Sequence, residues 1–245
     1  MPCGFSGLVL SFRPKAPLFV SKTYYFLLFI LVYLVVSKSK PYPVLDDKPV
    51  MQFDEIDLSL TYSYSNYLNW LFPERVELIK GKVFEMSPAP SRIHQKVSIR
   101  ISAVLYNFLQ GKFCDVYTAP FDVRFPDESK ADEDVYTVLQ PDICVVCDKT
   151  KLDQRGCIGA PDLVIEILSP GNNKKELFDK YKIYEGSGVK EYWIVSQSDQ
   201  SILIYSLNEF GKFNPSKIYT LSETVNSKVL PGFELALDDV FSDLD

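Results

Sequence analysis

The spacing of apolar and polar residues predicts the secondary structure from Met51 onward. Short apolar runs alternate there with amphipathic stretches, and turn-forming residues separate them. The spacing predicts helices over 61–72, 91–109 and 173–185, and a hairpin over 75–86. At least six strands are interleaved with these helices, so the pattern predicts an α/β fold built on a mixed sheet.

Two of the predicted strands carry an acid among apolar residues. Residues 161–170 read PDLVIEILSP, with Glu166 inside an apolar run, and residues 140–147 read QPDICVVC, with Asp142 at the start of another. A carboxylate in a strand that is buried on both faces is costly unless a cation or a hydrogen-bond donor pairs with it. Two acids on neighbouring strands would also repel each other, so the pattern predicts a divalent cation that both carboxylates bind.

A lysine on the following helix is the candidate cation of this group. Lys180 lies four residues after Glu176 and four residues before Tyr184, so the three side chains share one helical face. If the helix over 173–185 packs back over the sheet, Lys180 reaches Asp142 and Glu166 from above.

Residues 1–50 form a hydrophobic leader that does not match the rest of the chain. Residues 24–36 are apolar without a break, and the apolar stretch extends over 18–36 if Ser21, Lys22 and Thr23 are accepted within it. Three interpretations stay open: translation that begins at Met51, a membrane anchor through residues 18–36, and a signal peptide.

The charge and the cysteines narrow the class of protein. Residues 1–50 hold 6 of the 26 Lys and Arg residues and 2 of the 32 Asp and Glu residues, so residues 51–245 carry a formal charge of −10. An acidic body argues against non-specific wrapping of nucleic acid. The five cysteines are scattered, and the C-x-x-C of Cys144 and Cys147 would point to opposite faces of a strand. We therefore expect buried free thiols in a reducing compartment, which favours the cytoplasm.

Several motifs in order resemble the Uma-two family of restriction endonucleases, a branch of the PD-(D/E)XK nuclease superfamily. The resemblance covers 51–241. It implies a restriction-endonuclease-like mixed sheet flanked by helices over 51–245, with 1–50 as a separate leader. The motifs that carry it are ELIKGKV from Glu77, MSPAPSRIHQ over 86–95, QPDICVV, PDLVIEILSP, and KYKIYEGSGVKEYWIV from Lys180.

The resemblance also implies the roles of individual residues. Asp142 and Glu166, with the backbone carbonyl of Ile167, would bind Mg²⁺, for which Mn²⁺ could substitute. The lysine of the superfamily motif is replaced by Leu168 here, and Lys180 would supply the ammonium group from the helix. The residues expected to support this site are Glu77, Glu176 and His94. Two interpretations of Glu77 stay open: a neighbour of the metal, or an ordinary surface residue of the hairpin.

The function implied is Mg²⁺-dependent hydrolysis of phosphodiester bonds in DNA. Alanine at Asp142, Glu166 or Lys180 is expected to abolish nicking and leave the fold intact. The alternative is a module that kept the nuclease fold and binds or regulates nucleic acid without turnover. A homodimer is expected if the protein cuts both strands, and a membrane partner only if the leader is genuine.

Overall fold

The computed structural model describes residues 49–86, 89–169 and 174–244. These residues belong to one compact unit, Asp47–Asp245. The leader predicted over 1–50 lies outside the described residues except for Pro49 and Val50, so the three interpretations of it stay open. Among the described residues, no helix combines the length and the apolar character needed to cross a bilayer.

The first sheet begins with the predicted hairpin. Strands β1 (Val76–Ile79) and β2 (Lys82–Glu85) pair antiparallel, and Lys80 and Gly81 make the turn with φ angles of 50° and 75°. A Cβ on Gly81 would lie 2.3 Å from the Thr61 side chain, so glycine is required there on two grounds. The sheet continues through short strands in the order β2-β1-β5-β4-β8-β7, in which β4 is Val123–Arg124, β5 is Val138–Leu139, β7 is Leu152–Asp153 and β8 is Gly156–Ile158.

The second sheet holds the two acidic segments. Strand β9 (Leu163–Leu168) lies between β6 (Ile143–Val146), which is antiparallel to it, and β10 (Glu191–Ser196), which is parallel. The full order is β12-β11-β10-β9-β6-β3, in which β3 is Asp115–Thr118, β11 is Ser201–Leu207 and β12 is Phe213–Tyr219. The predicted neighbourhood of the two acidic segments is therefore confirmed.

Two helices contribute to the separate cores on the two faces of this sheet. Helix α2 (Arg92–Leu109) packs Val97, Ile101 and Leu105 into the core that contains Ile165 and Ile167. Helix α3 (Lys174–Ser187) places Tyr184 in the other core, with Val164 and Cys144. A small sheet of β13 (Thr224–Asn226) and β14 (Glu234–Ala236), followed by helix α4 (Leu237–Phe241), completes the first core.

The helix predicted over 61–72 is too long. Only α1 (Tyr64–Tyr67) forms, with Ser63 as its N-cap in a capping box. On one side, the Tyr62 amide donates to the carbonyl of Gly81 in the hairpin turn. On the other, Trp70 pairs with Val50 in a β-bridge, so both flanks have tertiary partners that a helix would not allow.

The prediction of free thiols is wrong for two of the cysteines. Cys114 and Cys147 form a disulfide, whereas Cys144 and Cys157 are free and buried. The register of β3 on β6 pairs Asp115 with Val146, so the residues just outside this pair come face to face. This pairing is non-local, and a search for C-x-x-C spacing does not detect it. Cys3 lies outside the described residues.

Candidate active site

Glu166 faces the α3 side of the second sheet. Its neighbours Ile165 and Ile167 point into the α2 core, because side chains alternate along a strand. Glu166 is 8% exposed. It is thus an acid buried inside an apolar strand, and its partners must come from the elements that cover this face.

Lys180 of α3 is the principal cationic partner. Its ammonium nitrogen lies 3.3 Å from Glu166 Oε1, 3.0 Å from Glu77 Oε1 and 3.9 Å from Glu176 Oε1. The lysine is only 4% exposed. The helical spacing of Glu176, Lys180 and Tyr184 therefore does bring three side chains to one face, where the Tyr184 hydroxyl donates to Glu166 Oε1 at 2.6 Å.

Asp142 lies immediately before β6, beside Glu166. The register pairs Ile143 with Ile165, and one further step places Asp142 opposite Glu166. Asp142 Oδ2 accepts a hydrogen bond from the Ile167 amide at 2.7 Å. The structure therefore places Lys180 within ion-pair distance of Glu166, and Asp142 opposite Glu166 on the adjoining segment.

His94 contacts the same carboxylate from the other side of the sheet. It stands in the first turn of α2, 5% exposed, and its Nε2 lies 3.3 Å from Asp142 Oδ2. The Ser91 hydroxyl, as N-cap of α2, accepts from the His94 amide at 3.2 Å and fixes this turn. His94 thus contacts Asp142. Among the described residues, no hydrogen bond joins His94 to Lys180.

Glu77 is buried inside the site and is not on a hairpin surface. It is 2% exposed, and its Oε1 accepts both from Lys180 and, at 2.8 Å, from the Gln140 amide. Strand β1 is buried at all four positions, so β1 has no solvent-facing side. The apolar residues Val76, Leu78 and Ile79 around it are the sequence signal that could have identified it.

A polar network that no sequence pattern indicated lies next to Glu77. The Gln140 side chain donates to Asp122 Oδ1 at 2.9 Å and to the Tyr67 hydroxyl at 3.1 Å. Its oxygen accepts from Arg75 Nη2 at 2.6 Å and Nε at 3.2 Å. These residues come from α1 and from three segments that border strands, so no local spacing in the sequence indicates the network.

The electrostatics follow from burial and from the close approach of charges. Burial raises the pKa of Glu166, and the charges of Asp142 and Glu77 raise it further, while Lys180 acts in the opposite direction. Burial tends to lower the pKa of Lys180, but the surrounding carboxylates outweigh it and the pKa is raised. For His94, burial lowers the pKa, yet the hydrogen bond to Asp142 and its charge give a net increase.

A comparison with protein families identifies the chain. The family model Uma2, described as "Putative restriction endonuclease", matches residues 65–238, more than half of the chain. The chain belongs to the Uma2 family. The resemblance carried by the sequence motifs is thereby confirmed.

The chain is also similar to individual proteins over most of its length. The chain is 24% identical over 209 residues to "Uncharacterized protein slr1290" of Synechocystis sp. (strain ATCC 27184 / PCC 6803 / Kazusa), covering 85% of this chain and 97% of that protein. It also matches the crystal structure of "a putative nuclease belonging to DUF820" from Anabaena variabilis ATCC 29413. That match has a TM-score of 0.58 and 20% identity, and covers 75% of this chain and 99% of the other. The structural match confirms the predicted mixed α/β fold.

The oxygen atoms of this Uma2 site fit a hard divalent cation. Within the part of the chain that the structure describes, the contacts of these two carboxylates are made by Oδ2 of Asp142 and Oε1 of Glu166. Over 49–86, 89–169 and 174–244, no group of three or more His, Cys, Asp or Glu side chains is arranged to hold a metal. Two carboxylates are enough for Mg²⁺, which usually keeps several waters and binds substrate phosphates as well.

Proposed function

We propose that this protein is an endonuclease that hydrolyses phosphodiester bonds in DNA with Mg²⁺. The observation that carries the proposal is the meeting of two carboxylates and one ammonium group from distant segments: Asp142, Glu166 and Lys180. Membership of the Uma2 family and a shared fold with a protein titled as a nuclease support it.

Each residue has a distinct part in the proposed reaction. Asp142 and Glu166 would hold the metal, with the backbone carbonyl of Ile167 as a third oxygen. Bound Mg²⁺ would polarise a phosphoryl oxygen and lower the pKa of its water. Lys180 orients the attacking water and offsets the negative charge that develops on the phosphate.

Four residues support these groups without touching the substrate. Glu77 and Glu176 hold Lys180 in its charged form and fix its position. His94 holds the Asp142 carboxylate through Nε2. The Tyr184 hydroxyl holds Oε1 of Glu166 by a hydrogen bond, and the backbone of β9 sets the position of Oε2.

The test is cleavage of supercoiled plasmid by the full chain with Mg²⁺ or Mn²⁺. We expect nicking by the wild-type protein, and its loss in Asp142→Asn and Glu166→Gln, which keep the side-chain volume. Glu209→Gln, an exposed acid outside the site, is the matched control and should nick as the wild type does. Nicking that survives Glu166→Gln would overturn the assignment.

One observation favours a second function, a non-catalytic nucleic-acid-binding module. Lys180 is already held by carboxylates, and no three-residue metal site is preformed among the described residues. Titration calorimetry with Mg²⁺ and Mn²⁺ separates the two functions. Heat of binding that disappears in Asp142→Asn supports the nuclease, whereas no metal uptake by the wild type favours the binding module.

A further inference from the structure

A pocket opens beside Asp142 on the α2 side of the site. It has a volume of about 250 Å³ and lies between the first half of α2 and the segment 118–120. Its lining includes His94, Asp142 and Arg75. Glu166 and Lys180 do not line it, so Asp142 is the part of the proposed metal site that this pocket reaches.

Arg75 is the cation of this pocket. Its guanidinium is half-buried and donates from Nε and Nη2 to a single acceptor, Gln140 Oε1. A guanidinium has five N–H donors, so three are left after these two bonds. Among the described residues no carboxylate forms an ion pair with Arg75, whereas Arg124 and Arg155 each have one.

The position of Arg75 is fixed by the network behind it. Gln140 is held through its side chain by Asp122 and Tyr67, and through its amide by Glu77. Gln140 therefore connects the guanidinium of Arg75 to the same carboxylate that holds Lys180. A ligand that binds Arg75 meets a pre-oriented group and does not have to order a flexible side chain.

We propose that Arg75 binds a phosphate of the DNA backbone in this pocket, next to the phosphate that is cleaved. This inference rests on the proposed nuclease function. A planar guanidinium fork matches two phosphate oxygens, and an arginine with no acid partner keeps its charge for an anion. The need for such a cation is clear from the −10 charge of residues 51–245 and from the burial of Lys180.

A larger cleft, of about 920 Å³, is less suited to this role. It is lined by Lys80, Lys82 and Lys182 but also by Asp127 and Asp179. The Lys82 ammonium donates to the backbone carbonyls of Ser59 and Leu60, which use two of its three donors. None of the three proposed active-site residues lines this cleft.

The test measures the salt dependence of DNA binding by the full chain. Binding of a fluorescent DNA duplex is followed by anisotropy in the Glu166→Gln background with Ca²⁺, over a range of NaCl concentrations. A parallel series uses an RNA of the same sequence. The variants are R75Q, R75K and the matched control R92Q, since Arg92 is exposed and donates to the carbonyl of Leu244, outside the pocket.

R75Q should raise Kd about tenfold, because it removes charge-assisted hydrogen bonds. It should also reduce the slope of log K against log salt by about 0.9, which corresponds to one phosphate contact. R75K should keep the slope but still bind several-fold more weakly, because it keeps the charge and loses the fork. R92Q should match the parent in both measurements.

The outcomes distinguish this inference from the proposed function. If the wild type cuts DNA and R75Q binds with the parent slope, the Arg75 inference is wrong while the nuclease stands. If the wild type does not cut but R75Q shows the reduced slope, the phosphate site stands and the nuclease proposal fails. A wild type that neither binds nor cuts overturns both. If R75Q does not fold, the Kd of R75K becomes the test of the Arg75 inference. A Kd of R75K equal to that of the parent contradicts the role of the guanidinium fork.

Discussion

At the residue scale, Lys180 stabilises the fold as well as serving the proposed chemistry. It is buried between the carboxylates of Glu77 and Glu166, and Glu176 is within ion-pair distance. Removing the ammonium would leave these acids close together in a poorly solvated interior. The structure therefore argues against the expectation that Lys180→Ala leaves the fold intact, and a loss of activity in that variant alone would not identify a catalytic role.

Lys180→Met tests this stabilising role. Methionine keeps the aliphatic stem and removes the charge, so we expect the free energy of unfolding to fall by about 3 kcal/mol, as for a buried pair that loses one partner. Urea denaturation at neutral pH measures it. Adding Glu77→Gln should recover part of the loss, because it removes one of the unpaired carboxylates. A double variant less stable than Lys180→Met would contradict the ion-pair account.

The sequence alone located the residues whose type conflicts with the residues around them. Glu166 stands in an apolar strand, and the spacing of Lys180 from Glu176 and Tyr184 fixes the face of the helix on which it lies. Glu77 stayed undecided because a hairpin residue is usually half-exposed, whereas all four positions of β1 are buried in the structure. Arg75 does not conflict with the residues around it in this way, so only the structure shows that Gln140 is its hydrogen-bond partner.

At the element scale, the start of α2 determines where His94 lies. Ser91 caps the helix through the His94 amide, and the same turn carries the imidazole to Asp142. The predicted bounds of this helix, 91–109, differ from the observed Arg92–Leu109 only by the cap residue. Helix ends of this kind are predictable because the cap is a local interaction.

Ser91→Ala should destabilise the protein by about 1 kcal/mol, because an orphan amide of the first turn loses its acceptor. Ser91→Gly is the matched control and should cost only a few tenths of a kcal/mol, since glycine is tolerated at the N-cap position. Thermal unfolding of the two variants beside the wild type measures the difference. An unfolding temperature of Ser91→Ala equal to that of the wild type would show that the Ser91 hydroxyl bond does not stabilise the helix.

Elements held by non-local pairing were harder to predict. Trp70 pairs with Val50 shortly after α1, and the short strands β7 and β8 pair antiparallel within a polar stretch of the chain. The Cys114–Cys147 disulfide has the same origin, since its partners are 33 residues apart, one just before β3 and the other just after β6. Each case depends on a register between strands that composition and periodicity do not specify.

At the scale of the whole molecule, the candidate site joins the two large sheets. Glu77 comes from β1 of the first sheet, and Asp142 and Glu166 come from the second. Lys180 and His94 reach the acids from helices that contribute to the opposite cores of the second sheet. A cation held by Asp142 and Glu166 would therefore stabilise contacts between the elements, and not only the two side chains.

Metal binding should thus raise the stability of the folded protein as a whole. A ligand that binds only the native state stabilises it by about 2.7 kcal/mol at a concentration of 100 Kd. We expect the midpoint of urea unfolding to rise with Mg²⁺ concentration in the wild type and in Glu209→Gln. In Asp142→Asn combined with Glu166→Gln the midpoint should not depend on Mg²⁺, whatever its value without metal. Because only the metal-dependent change is compared, the different intrinsic stabilities of the variants do not affect the result. An equal rise in all three proteins would mean that Mg²⁺ binds elsewhere, and the two carboxylates would then need another explanation for their proximity.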